Sequence, residues 1–506
     1  MNLAMILAER ARRHPGRLAL RFEGEDFSYG DFQAQVLRHA SVLAALGIRP
    51  GDRVATQLGK RPESLFLHFA TLALGAVALP LNMDYRAEEL AYFLSDSGSR
   101  LLVTDGACLP GAREAAASLP RLELGLLEAE APVGVHPWGR LLAEAGPVEP
   151  GYPGGSEDTA MLCYTSGTTG RSKGAMITHG NLLANAEALH RSWGWSEADR
   201  LLHLLPLFHV HGLNVAALGC LHAGAAMVMH QRFEPRRAWE ALVAERCTIL
   251  MAVPTIYQRL MNEWEALETK PDLGGMRLFV SGSAPLSEAQ FERFARLTGF
   301  PILERYGMTE TGMITTNPLD PAGRKARSVG YPLPGVDVRV VDAAGADSPP
   351  GEVGEVWVRG PNVCKGYWGM PDKTRESFTG DWFHTGDMGT LDPEDGGRLY
   401  LVGRAKELII AGGFNVYPKE VEGVLEAHGA VREAAVVGLP DEDLGERVTA
   451  VVVLREGSPV TDEELVAHCR EHLAAYKCPR RIVRVPELPR NAMGKLQKNL
   501  LVERFG

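Results

Sequence analysis

The segment Tyr164-Thr165-Ser166-Gly167-Thr168-Thr169-Gly170-Arg171-Ser172-Lys173-Gly174 constrains this chain most. It packs five small hydroxyl side chains, three glycines and a lysine into eleven positions. The apolar run Thr159-Ala160-Met161-Leu162-Cys163 before it reads as a buried strand. Glycines at 167, 170 and 174 let backbone N–H groups approach a ligand closely, and Lys173 adds a point charge, the chemistry a polyphosphate requires. The order Ser172-Lys173-Gly174 excludes a Walker A loop, which needs Gly-Lys-Ser/Thr. Taken alone, the segment also fits a plain Gly/Ser/Thr surface turn.

The rest of the chain bounds the possibilities. At 506 residues it is too long for one core, so at least two domains are expected. A net charge of −10 without a Lys/Arg-rich tract argues against a nucleic-acid partner. Seven cysteines without CxxC spacing argue against a disulfide framework or structural zinc and favour a reducing, cytoplasmic setting. Residues 1–13 read as an amphipathic helix, not a signal peptide, and the longest nearly uncharged run, 68–81, is too short to span a bilayer.

Strand-like runs alternate with helical ones through the first 330 residues, which favours helix-covered parallel sheets. Short alternating runs from about 330 to 403 favour a small antiparallel β unit. A compact α+β module follows, with Pro418 opening a helix and Thr461/Glu464 forming a capping box. The expected domains are 1–405 and 406–506.

Further motifs occur in order: Pro206-Leu207-Phe208-His209-Val210-His211-Gly212; Ser281-Gly282-Ser283-Ala284-Pro285-Leu286; Glu304-Arg305-Tyr306-Gly307-Met308-Thr309-Glu310-Thr311; and Thr385-Gly386-Asp387. Then come Gly403-Arg404-Ala405-Lys406-Glu407, Gly412-Gly413-Phe414-Asn415-Val416-Tyr417-Pro418 and Pro489-Arg490-Asn491-Ala492-Met493-Gly494-Lys495. With the 164–174 loop, this series resembles the acyl-adenylate-forming superfamily of acyl-CoA synthetases, luciferases and peptide-synthetase adenylation domains.

The resemblance implies an enzyme that uses ATP, Mg²⁺ and CoA on a small carboxylic acid, as a monomer or homodimer. It assigns the phosphate cradle to Thr165, Ser166, Gly167, Thr168, Thr169, Gly170 and Lys173, and magnesium ligation to Glu310 and Thr165. Thr309 or Thr165 would offer a hydroxyl near the α-phosphate. Ser283, Ala284, Glu304, Arg305, Tyr306, Gly307 and Met308 would form the adenine pocket, with Tyr306 as the stacking face. Asp387 and Arg404 would hold the ribose, and Lys495 would bridge the carboxylate and the α-phosphate. Lys406 matches the hinge on which the C-terminal domain rotates for the thiol step. Gly412 and Gly413 would line the pantetheine tunnel, with Lys477 a candidate for CoA phosphate. His209 matches the gate between acyl and thiol sites.

For the acid, the absence of an aspartate in 208–213 argues against amino-acid activation. Residues 206–213, 276–286 and 303–318 resemble malonyl-CoA synthetases. Strand alternation puts Arg277 and Ser281 on one face, where they could hold a second carboxylate, with Met308 near the acyl group. Apolar Gly312-Met313-Ile314 keeps a medium- or long-chain fatty acid open as the alternative. A nucleotide-binding regulator without catalysis is the alternative of another class.

Overall fold

The computed structural model of the protein describes residues 1–506 apart from 166–171, 413, 442–443 and 492–494. Strands and helices alternate from Leu18 to Thr298, and among the described residues the strands form three sheets of seven, fourteen and five strands. The seven-stranded sheet is parallel except for the hairpin Thr159–Thr165 and Lys173–Thr178, which brackets the hydroxyl-glycine loop. The fourteen-stranded sheet contains a parallel centre built from Arg200–His203, Ile249–Ala252, Leu278–Ser281 and Leu303–Met308. Those strands are apolar on both sides because helices cover both faces: Leu278 and Val280 pack into one core layer and Phe279 into the other.

At Leu303–Met308 the parallel run turns antiparallel. The turn Thr309-Glu310-Thr311 leads back into Gly312–Thr316, and the expected β unit follows as the antiparallel strands between Ser328 and Arg404. Ligands in such sheets gather at the carboxyl ends of the strands, and Ser281 and Met308 mark those ends here.

The first two sheets end with Arg404, and every described strand from Ile409 onward belongs to the five-stranded sheet. Helices Pro418–Ala427, Asp462–His472 and Lys498–Phe505 accompany it. Val421, Leu425, Leu465 and Cys469 bury against Val436, Val448 and Ala450. The capping box at Thr461/Glu464 forms as expected, and Ser28/Asp31, Thr178/Asn181 and Ser287/Gln290 are further examples. The N-terminal helix Ala4–Arg13 is amphipathic, burying Ala4, Leu7 and Ala11 on one stripe. No helix among the described residues is long and apolar enough to cross a membrane.

Candidate active site

Three strand ends meet at Glu310. Its Oε1 accepts from the Thr165 hydroxyl at 3.1 Å and from the Tyr367 phenol at 3.0 Å. Glu310 is buried, and the segment after Pro361 straps its turn: Cys364 N–H donates to the Glu310 carbonyl at 2.7 Å. Lys173, cross-strand partner of Thr165, holds its ammonium 4.1 Å from the centre of the Tyr367 ring. Burial lowers the Lys173 pKa, with Glu310 opposing and Lys406 reinforcing the shift. Thr309 is half-buried beside Glu310 in the same turn. Ser166, Gly167, Thr168, Thr169 and Gly170 lie outside the described residues.

A second cluster joins the central sheet to the β unit. The Tyr306 phenol donates to Asp387 Oδ2, and Arg404 Nε sits 2.8 Å from Asp387 Oδ1. Asp387 and Arg404 are direct cross-strand neighbours, so the hairpin register sets this pair. Burial raises the Asp387 pKa against the pull of Arg404, the Tyr306 hydrogen bond and Lys495. Tyr306 thus anchors its hydroxyl on Asp387, a contact the stacking role alone does not require.

Lys495 arrives from the C-terminal module. Its pKa is lowered, first by loss of water and then by Arg404, with Asp387, Glu407 and Glu310 pulling it upward. The residue is exposed, so the dehydration is partial. The charges acting on Lys495 thus include those of the Glu310 and Asp387 clusters. The same module brings Lys419 to the field of Glu304, whose carboxyl burial pushes up to about 7 and whose Oε1 accepts from Leu286 N–H at 2.9 Å.

The acid side differs from expectation. Arg277 is not available to a substrate: its Nε and Nη2 grip both oxygens of Asp199 at 2.6 and 2.8 Å, and Nη1 donates to the Trp193 carbonyl. Arg277 and Ser281 stand at opposite ends of one strand, about 13 Å apart at roughly 3.3 Å per residue, so they cannot converge on one carboxylate. Ser281 pairs across the ladder with Glu304, on the Phe279 face.

Arg305 occupies the other face. It is 3% exposed, and neither Nε nor Nη2 has a hydrogen-bond partner. Its guanidinium lies flat against Gly282, where a Cβ would come within 2.3 Å of Cζ. Burial lowers its pKa to about 9 despite Glu304. His209 and His211 both feel its charge. Arg305 therefore lies beside the histidines, a position that the motif resemblance, which had assigned it to the adenine pocket, did not indicate. His211 Nδ1 lies 3.1 Å from the Ser283 hydroxyl, while its Nε2 is buried and unpartnered. Burial, with Arg305 and Lys495, lowers His209 to about 4, so it is neutral near pH 7. His211 starts a π-helix over His211–Leu218, and Gly212 is obligatory there because a Cβ would sit 1.9 Å from the Pro206 carbonyl oxygen. Ser283 adopts φ +68° at the turn that meets His211. Ala284 and Met308 are half-buried at the neighbouring strand ends, and Gly307 packs against the Gly312 carbonyl.

The expected thiol-side residues lie elsewhere on the C-terminal module. Gly412 has φ +59° and borders a cleft with Phe414, Tyr476 and Arg480; Gly413 lies outside the described residues. Lys477 is not free for a phosphate, since Nζ binds both Glu420 oxygens at 2.7 and 2.8 Å. Lys406 sits in the 3₁₀ turn Ala405–Glu407 between the two sheets, near Lys173. Sequence reasoning did not single out Tyr367 or His211, nor the place of Arg305 beside the two histidines. A tyrosine beside Gly366 carries no local signal of a partner 57 residues away, and an arginine within a nucleotide-like motif hides which face it takes.

A carboxylate, a hydroxyl and a lysine thus come together at Glu310, Thr165 and Lys173 in the large α/β domain, chemistry compatible with a nucleotide-dependent acid-activating enzyme. The chain belongs to the AMP-binding enzyme family: residues 7–368 match that family, and residues 420–495 match the AMP-binding enzyme C-terminal domain. It is 38% identical to a feruloyl-CoA synthase of Amycolatopsis sp over 98% of both chains. It is also 36% identical to the mitochondrial malonate–CoA ligase of Homo sapiens, over 98% of this chain and 91% of that one. The ATP-bound crystal structure of MatB from Rhodopseudomonas palustris superimposes with a TM-score of 0.92 at 41% identity, covering 100% and 99% of the two chains. The protein is an AMP-forming acid–thiol ligase that joins a carboxylic acid to CoA through an acyl-adenylate.

Proposed function

We propose that the acid is malonate. The observation that carries this reading is Arg305, a buried guanidinium with Nε and Nη2 unpaired, held against Gly282 beside His209 and His211. A buried cation without an anion is costly, and a substrate carrying a second carboxylate supplies the missing charge. The malonate–CoA ligase among the relatives supports the same choice.

In this reading the reacting carboxylate of malonate attacks the α-phosphorus of ATP and pyrophosphate leaves. Lys495 neutralises the two approaching anions, and Lys173 with the 165–170 loop holds the β- and γ-phosphates. Glu310 and Thr165, hard oxygen donors already 3.1 Å apart, fit a Mg²⁺ ion, which when bound would screen phosphate charge. Asp387 and Arg404 hold the ribose, and Tyr306, fixed through its hydroxyl, offers its ring to the adenine. The C-terminal module, residues 406–506, then rotates about Lys406 and brings Gly412 and Gly413 toward the acyl group. The CoA thiol attacks the acyl carbonyl and AMP leaves, with His209 at the gate between acid and thiol. Pyrophosphate release with malonate, methylmalonate, acetate, butyrate, octanoate and palmitate at equal concentration tests the proposal. Malonate is expected to lead by orders of magnitude with methylmalonate next; activity that climbs toward octanoate or palmitate overturns it in favour of a fatty-acid ligase.

A further inference from the structure

Helix Asp462–His472 carries His468, Glu471 and His472 at i, i+3 and i+4, the spacing that stacks side chains on one face. One ligand atom from each lies within 4.8 Å of the others. His468 is half-buried, and Glu471 and His472 are exposed to solvent.

The hydrogen bonding prepares the central imidazole. His468 Nε2 lies 3.0 Å from the Val424 carbonyl, which can only accept, so Nε2 carries the proton. In the neutral ring Nδ1 then holds the free lone pair. Metal-binding histidines are commonly oriented this way, with the far N–H given to a backbone carbonyl. Two rings pack edge-on around it, His428 at 5.1 Å and His472 at 4.8 Å between centroids. His428 is not a ligand in this arrangement, because its Nδ1 already accepts from Ala430 N–H at 3.2 Å. The cluster also closes the carboxyl end of its helix, where the backbone dipole favours a cation.

We infer that His468, Glu471 and His472 form a binding site for a divalent transition ion of the Zn²⁺ class on the C-terminal module. Two imidazoles and one carboxylate select Zn²⁺, Co²⁺, Ni²⁺ or Cu²⁺ over Mg²⁺ and leave a fourth position to water. The site is separate from the Glu310 cluster and takes no part in the adenylation chemistry.

The test uses the untagged full-length protein, stripped with a chelator and titrated with Co²⁺ while visible absorption is followed. Wild type is expected to take up one equivalent at this site, displaced by Zn²⁺ and not by Mg²⁺, and to gain thermal stability with Zn²⁺. His472→Ala and His468→Gln should each lose that equivalent and that gain; the glutamine keeps a donor for the Val424 carbonyl, and His472 is exposed. Both variants should melt normally without metal. A Co²⁺ stoichiometry and spectrum unchanged in His472→Ala, or a wild type that binds no Co²⁺, overturns the site.

Discussion

Gly282 and Arg305 illustrate how much one missing methyl group can decide. A Cβ at 282 would lie 2.3 Å from Arg305 Cζ and 2.6 Å from Nε, so the guanidinium keeps its pose only against glycine. Gly282→Ala should displace it and weaken malonate by roughly 1–3 kcal/mol, seen as a raised KM for malonate with KM for ATP nearly unchanged. Steady-state kinetics with each substrate varied checks this. Arg277→Ala should behave differently. It leaves the nearly buried Asp199 carboxylate without its partner and should cost about 2 kcal/mol of stability by denaturant unfolding, with substrate preference unaltered. Alternation along residues 277–281 was legible and correct as far as it went. It could not reveal that Arg277 stands at the outer end of its strand opposite Asp199, 78 residues away in sequence. Contacts of that separation are made by the fold, not by local pattern.

In the proposed mechanism the chemistry falls on two hairpins and one terminal loop. Hairpin Thr159–Thr165/Lys173–Thr178 fixes Thr165 and Lys173, and hairpin Trp382–Asp392/Arg398–Arg404 fixes Asp387 and Arg404. Lys495 comes from the last loop and belongs to a different body. Lys495→Ala should therefore suppress malonate-dependent pyrophosphate release by at least about a hundredfold, while thioesterification of supplied malonyl-AMP largely survives. Lys406→Pro should do the reverse, since it restricts φ at the proposed hinge. Single-turnover assays of each half-reaction would distinguish them, and equal loss of both steps in both variants would contradict domain alternation. At this scale much was legible: alternating apolar runs marked the strands, and Thr461 with Glu464 marked a helix start to the residue. The salt bridge from Lys477 to Glu420 was not, because the Tyr476-Lys477-Cys478-Pro479 segment gives no sign of a helix packed across from it.

As a whole molecule the protein keeps many imidazoles away from water. Burial lowers His39, His68, His179, His209 and His222 to about 4, and His203 to about 3. Unfolded imidazoles titrate near 6.5, so between about pH 6.5 and 4 the unfolded chain binds more protons and stability falls as pH falls. Each group contributes about 1 kcal/mol by pH 5.5, less for the partly exposed His209 and His222. Glu304, raised to about 7 by burial, acts in the opposite direction, as do Asp387 and Glu426, whose carboxyls burial also raises, but these three are outnumbered by the depressed imidazoles. Melting temperature measured from pH 7.5 to 5 should drop steadily, and a flat profile would contradict this account. The two-domain plan and the CoA-ligase chemistry were legible because ordered motifs span most of the chain. The residue proposed for the second carboxylate was not, because no local pattern tells which face of the strand Leu303–Met308 Arg305 takes. The most direct measurement is kcat/KM for malonate and for butyrate in wild type and in Arg305→Met, which keeps bulk and removes charge. Malonate should fall by at least about a hundredfold while butyrate holds or rises; an equal fall for both acids, or no fall for malonate, would contradict the assignment of Arg305 to the second carboxylate.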